Sequence, residues 1–211
     1  MNDLNYSEKS LAQRYADGLA QAYRQAGAGE LWDEFAAAAH GVKAKKLARL
    51  KALYPELPES LAELLSIVDG SYWRKYQGRK FALYFLGSDL EEYPYYLLSA
   101  KQMRKNQDLA ARYYGDYVDR LFDEEGVAED QRIVRDSQTM RWLHFADCMN
   151  NGGTSQLFLD FSPSETGTIG QVVRFLHDPD ELAVIADSFD DYLQTLMDGE
   201  YDFINEDTVE E

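Results

Sequence analysis

Residues 142 to 197 read WLHFADCMNNGGTSQLFLDFSPSETGTIGQVVRFLHDPDELAVIADSFDDYLQTLM, and the architecture is most legible there. Trp142 to Ala146, Gln156 to Phe161, Ile169 to Leu176 and Leu182 to Ala186 are short aliphatic and aromatic runs. They are separated by Asn150-Asn151-Gly152-Gly153, by Pro163 to Gly167 and by Asp178-Pro179-Asp180. Such runs, bounded by turn residues, are strands. Connections this short favour antiparallel neighbours, because a parallel crossover needs a dozen or more residues. Ser188 with Asp191 three positions on has the spacing of a capping box, and Phe189, Tyr192, Leu193, Leu196 and Met197 form the apolar stripe of a closing helix.

Upstream the period is helical. Leu11, Tyr15, Leu19 and Tyr23 recur every four residues behind Ser7, which is expected to cap the helix that Gly27 and Gly29 close. Trp32, Phe35, Ala36 and Ala39 suggest a second helix, broken near Gly41, and Ala44, Leu47, Leu50 and Tyr54 a third, stopped by Pro55. Leu57-Pro58 opens a fourth through Leu61, Leu64, Leu65 and Val68, with Gly70 at its end. Phe81 to Leu86 and Tyr95 to Leu98 are expected to be strands. Ser99 to Arg104 and Leu109 to Phe122 are expected to be helices, and Glu124 to Asp130 a polar connection. The expectation is an α+β fold. An antiparallel sheet of about five or six strands is flanked by helices, with a helical N-terminal extension over residues 1–55 and the main domain, ending in an acidic tail, over 56–211.

The 211 residues carry 21 Lys and Arg against 38 Asp and Glu, a formal net charge of −17. A chain this acidic is a poor ligand for nucleic acid, whose phosphates must be neutralised by cations. It favours cationic partners, which its field steers in. The charge is uneven: residues 1–55 hold eight basic and six acidic side chains, while the 34 positions from Asp178 hold 13 carboxylates and no Lys or Arg. Lys43, Lys45, Lys46, Arg49 and Lys51 are the opposite feature, five cations in nine residues. Either stretch can be a solvated helix face or a loose tail. The alternative is a recognition surface for a basic protein. With 45% apolar and 13% aromatic residues the chain can bury a core. The single cysteine, Cys148, excludes an internal disulfide and fits a reducing compartment. Neither a signal-like start nor a spanning apolar run is present, so a soluble, cytoplasmic protein away from membranes is expected.

Candidate chemistry is sparse. His40 lies among alanines. His144 and Cys148 fall on one face if their strand runs on past Asn150 and Gly152, which would suit a base and a nucleophile but is more often a packed imidazole and a small buried thiol. His177-Asp178-Pro179-Asp180-Glu181 offers one imidazole and three carboxylates, which would suit a hard cation but lacks EF-hand spacing and also reads as a polar turn. No phosphate-cradling glycine loop, HExxH or GxSxG occurs. No catalytic residue, metal or cofactor is therefore assigned. What remains is aromatic: 15 Tyr against 10 Phe, with Ser71-Tyr72-Trp73 and Glu91-Glu92-Tyr93-Pro94-Tyr95-Tyr96 placing rings beside acids. Such residues recur at protein interfaces.

Several pieces of this sequence, in order, resemble the SUKH superfamily, which includes the fungal Smi/Knr cell-wall regulators and many bacterial immunity proteins. They are Leu57-Pro58-Glu59-Ser60-Leu61 through Leu64-Leu65 to Asp69-Gly70, then Phe145-Ala146-Asp147, Gly152-Gly153 and Leu157-Phe158-Leu159-Asp160. Gly167, Gly170-Gln171-Val172 and Ala186-Asp187-Ser188-Phe189-Asp190-Asp191-Tyr192-Leu193 complete the series. The resemblance spans residues 57–197. It implies an α+β fold with an antiparallel sheet, no enzymatic activity and, for bacterial members, binding and neutralisation of a toxin, often a nuclease. A nuclease carries a basic substrate groove, which an acidic protein can occupy. The residues expected to bind such a toxin domain are Tyr72, Trp73, Glu91, Glu92, Tyr93 and Tyr95, then Asp178, Asp180 and Glu181. The rival readings are a regulatory or scaffold module for an endogenous protein, or a metal-dependent enzyme using His177, Asp178, Asp180 and Asp147.

Overall fold

The computed structural model describes residues 9–90, 94–120, 128–148, 155–177 and 180–209. Helix α1 is Leu11–Gln25. Ser10, not Ser7, is its cap: Gln13 N–H donates to the Ser10 hydroxyl, and the Gln13 side chain accepts the Ser10 N–H. Helices α2 (Gly29–Ala38), α3 (Ala44–Leu53) and α4 (Glu59–Ile67) follow as the apolar spacing predicts. Gly70 ends this run at φ +85, and a Cβ there would lie 2.5 Å from the backbone nitrogen of Ser99, so both conformation and space require glycine.

Strands β1 (Arg74–Tyr76) and β2 (Arg79–Phe81) form a small hairpin. Its two-residue turn puts Gln77 and Gly78 at positive φ, as the favoured hairpin turn demands. The expected strand from Phe81 to Leu86 is not continuous. After Phe81 the chain alternates inward and outward, and its one ladder pairing is an isolated Leu86–Tyr95 bridge.

The main sheet is built from β3 (Tyr96–Leu97), β4 (Ala128–Glu129), β5 (Trp142–Cys148), β6 (Ser155–Asp160), β7 (Gln171–Leu176) and β8 (Glu181–Ala186). Its order is β3-β5-β6-β7-β8-β4. Five strands are antiparallel as expected, and β4 adds a parallel edge beside β8, where the sequence suggested only a polar connection. Helix α5 (Ala100–Lys105) is capped by Ser99, and α6 (Leu109–Val118) covers one face of the sheet. Helix α7 (Phe189–Asp198) is capped by Ser188 as predicted, and α8 (Glu206–Val209) comes last.

The sheet divides two apolar clusters. Tyr114 and Val118 pack on Trp142, Phe158, Val173 and Phe175 on the α6 face. On the other face the larger cluster joins Leu143, Phe145, Leu157 and Leu159 to α1, α4 and α7. Tyr15, Leu19 and Tyr23 of α1 are buried in this cluster, so the N-terminal helices share the core of the sheet. The C-terminal segment is no loose tail up to Val209: Tyr201, Phe203 and Ile204 are buried in the same cluster. Tyr201 donates to the Tyr15 carbonyl at 3.0 Å, and its ring lies so close to Gly18 that a Cβ would overlap it. No helix among the described residues is long and apolar enough to cross a membrane.

Candidate functional site

One end of the sheet carries the rings and acids. Register aligns Tyr96 with Asp147, Asp147 with Gln156 and Gln156 with Phe175, a row across four strands. Gln156 is held from both sides: Tyr114 donates its hydroxyl to Oε1 at 2.6 Å, and Nε2 donates to Asp147 Oδ1 at 3.3 Å. Burial pushes the Asp147 carboxyl up to about 6, against weaker lowering by the hydrogen bonds it accepts.

Beyond Gln156 the row opens into a cleft of about 480 Å³ between α6 and β7. Its walls include Tyr113, Tyr114, Tyr117, Phe175, His177 and Asp180. Tyr117 donates to Asp180 Oδ2 at 2.6 Å, and His177 Nδ1 lies 2.8 Å from the other carboxylate oxygen. Tyr113 remains 62% exposed. A helix with tyrosines at 113, 114 and 117 covers both the buried side and the rim of this cleft.

On the other side of Asp147, Tyr96 stacks between Tyr72 and Tyr84, with ring centroids 5.0 and 4.7 Å away. Burial, and next the Asp147 charge, hold the Tyr72 hydroxyl above the ordinary tyrosine range. A second cavity of about 320 Å³ lies here, lined by Leu31, Trp73, Tyr84, Tyr96 and Val209 among others. Trp73 is 61% exposed and adopts φ +48, a left-handed backbone that a bulky residue rarely takes. Strain of this kind collects at functional positions.

The residues expected from the sequence are thus divided. Trp73 lines the second cavity, Tyr72 packs behind it against Tyr96, and Asp180 lines the first. Glu181 is half-buried and engaged by Arg174, which also grips Asp89 through two hydrogen bonds. Tyr95 is fully buried, so it cannot meet a partner: the pleat sends it into the core while its neighbour Tyr96 takes the other face. Glu91, Glu92, Tyr93 and Asp178 lie outside the described residues. Tyr84, Tyr96, Tyr113, Tyr114 and Tyr117 belong to the site and were not singled out by the sequence.

His144 and Cys148 do not meet as base and nucleophile, and both are buried. A bulge at Phe145 breaks the alternation of β5, leaving His144 beside Phe158 on the α6 face and Cys148 in the opposite cluster. His144 Nε2 lies 2.9 Å from the Ala146 carbonyl and must donate to it, so Nδ1 accepts from Asn106. Burial drives the His144 pKa down to about 3, which keeps the ring neutral. Among the described residues no three His, Cys, Asp or Glu side chains converge on a possible metal position. His177 and Asp180 form only a pair, and Asp147 bonds to Gln156 instead.

Two clefts with tyrosine rims thus flank a half-buried carboxylate on an α+β scaffold. The SMI1 / KNR4 family (SUKH-1) model matches residues 41–195, well over half of the chain, and the protein belongs to that family. The match begins ahead of Leu57 and takes in α3 with its cations, so part of the expected extension lies within the family region. No curated protein matches the chain.

Proposed function

We propose that this protein is a non-catalytic, immunity-type binding module that neutralises a cognate toxin domain, possessing a basic surface, through the tyrosine and carboxylate band at the sheet end. The observation that carries the reading is the register row Tyr96–Asp147–Gln156–Phe175, with a cleft at each end. Aromatic rims beside Asp147 and Asp180 suit Arg and Lys side chains, which gain both ring contact and a countercharge. Exposed Trp73 and Tyr113 are anchor types that dominate interface energies. The net charge of −17 adds attraction at long range.

The test is co-production with the candidate toxin domain. The native chain rescues growth, whereas the double substitution Trp73→Ala with Tyr113→Ala, which removes two exposed rings and leaves the core intact, does not. Association of the native pair slows with added salt. Full protection by the double variant would sink the reading.

A further inference from the structure

We infer that the cleft between α3 and α5 is a separate site for a small anion carrying two adjacent phosphoryl groups. The cleft, about 300 Å³, is lined by Lys46, Arg49, Lys101 and Arg104 around the methyl group of Ala100. Each helix supplies two cations at i and i+3, the spacing that puts side chains on one face. Four positive charges meet here on a chain whose net charge is −17.

The local carboxylate does not neutralise them. Asp69 is fully buried; its Oδ1 accepts the Ala100 N–H at 3.0 Å, and its Oδ2 is shared by Lys46 and Arg74 at 3.4 and 3.2 Å. Asp69 therefore fixes the start of α5 and steers Lys46, and its single charge is divided between two cations. Arg49, Lys101 and Arg104 make no ion pair among the described residues, whereas Arg24, Lys51, Arg79 and Arg141 each hold a carboxylate. Helix electrostatics account only for Arg104, in the last turn of α5. Lys46 and Lys101 sit in the first turns of α3 and α5, where the backbone dipole opposes a cation, and neither first turn contains an acid.

The lining selects the ligand class. One methyl group and no aromatic ring leave nothing for a nucleobase or an acyl chain to contact. Two cation pairs on facing helices match two phosphoryl groups, one for each pair. Strong negative charge over the rest of the chain repels extended anionic surfaces such as membranes or nucleic acid, while a compact anion can enter a locally positive cleft. This site is independent of the sheet-end band and of the toxin reading.

The test is calorimetric titration of the intact protein with inorganic pyrophosphate at low ionic strength, beside orthophosphate and sulfate at matched ionic strength. One saturable site is expected, preferring pyrophosphate over orthophosphate by roughly ten-fold. Lys101→Glu with Arg104→Glu abolishes it, while Lys75→Glu with Lys80→Glu, on the β1–β2 hairpin, leaves it unchanged. Should the charge reversal impair folding, Lys101→Gln alone still weakens binding of pyrophosphate. Absence of saturable binding, equal response to all three anions, or unaltered binding by the α5 variants would overturn the inference.

Discussion

Asp147 accepts a hydrogen bond from Gln156 Nε2 at 3.3 Å while lying in a row whose next member on the β3 side is Tyr96. Its carboxyl is raised to about 6 by burial, above the ordinary aspartate value near 3.8. The folded state therefore takes up a proton before the unfolded chain does as pH falls. This favourable contribution is complete below the unfolded value and disappears as pH rises through about 6. Asp147→Asn should stabilise the fold by on the order of 1 kcal/mol at about pH 7.5 and have little effect near pH 4. Denaturant melts at the two pH values check it. His144 acts in the opposite sense, because burial lowers its pKa to about 3, and stability from this group is lost as pH falls from about 6.5. The acid limb should be steeper in the Asp147→Asn variant, where the offset from the carboxyl is gone.

Trp73 offers a separation of strain from binding. Trp73→Asn keeps a residue that tolerates the left-handed region and removes an exposed ring. Stability should stay level or rise by up to about 1 kcal/mol, while toxin association weakens by roughly ten- to a hundred-fold. Thermal melts and surface-capture kinetics on the same preparation read the two effects; a loss of both would make Trp73 structural.

Arg174 is 2% exposed and holds Asp89 and Glu181 together. Arg174→Ala would leave two acids facing each other beside the core and should cost about 3–5 kcal/mol. Arg174→Met fills the space but not the charge, and should recover part of that loss. Raising salt narrows the gap between native and Arg174→Met proteins, which chemical denaturation can follow.

Tyr201 closes the C-terminal segment onto α1, its ring 5.3 Å from that of Tyr15. Tyr201→Ala empties a packed site and should cost about 3 kcal/mol or more. Glu200 precedes it at φ +54, exposed after the end of α7, so Glu200→Gly should be neutral or stabilise by up to about 1 kcal/mol. Hydrogen exchange along α1 distinguishes loss of this docking from global unfolding, since α1 amides would lose protection first.

Much of the fold was written in local pattern. Leu61, Leu64 and Leu65 marked α4, and Ser188 with Asp191 marked the start of α7, because caps and helical stripes act over one or two turns. The site was less legible. Tyr95 and Tyr96 are the same residue type on opposite faces, so no contrast of polarity told the fully buried ring from the half-buried one. Phe145 in its bulge reverses the phase between His144 and Cys148, and a bulge has no composition of its own inside an apolar run. The edge strand at Ala128–Glu129 is two residues long and parallel, and only its partner β8 defines it. The clefts arise from pairings between distant segments, such as Tyr117 with Asp180, which lie 63 residues apart.

The tyrosine hydroxyls of Tyr15, Tyr23, Tyr54, Tyr76, Tyr192 and Tyr201 each donate to a main-chain oxygen, acting as struts between segments far apart in sequence or across tight turns. Burial keeps these phenols protonated beyond their ordinary range, Tyr54 and Tyr201 up to about 12, with Tyr15, Tyr23 and Tyr192 also shifted upward. Alkali is thus the solvent condition to which the framework is chemically exposed: once the unfolded chain can shed phenolic protons, above about pH 10, folding loses ground. An ultraviolet titration of phenolate should accordingly end in one abrupt step, as the struts ionise when the molecule comes apart.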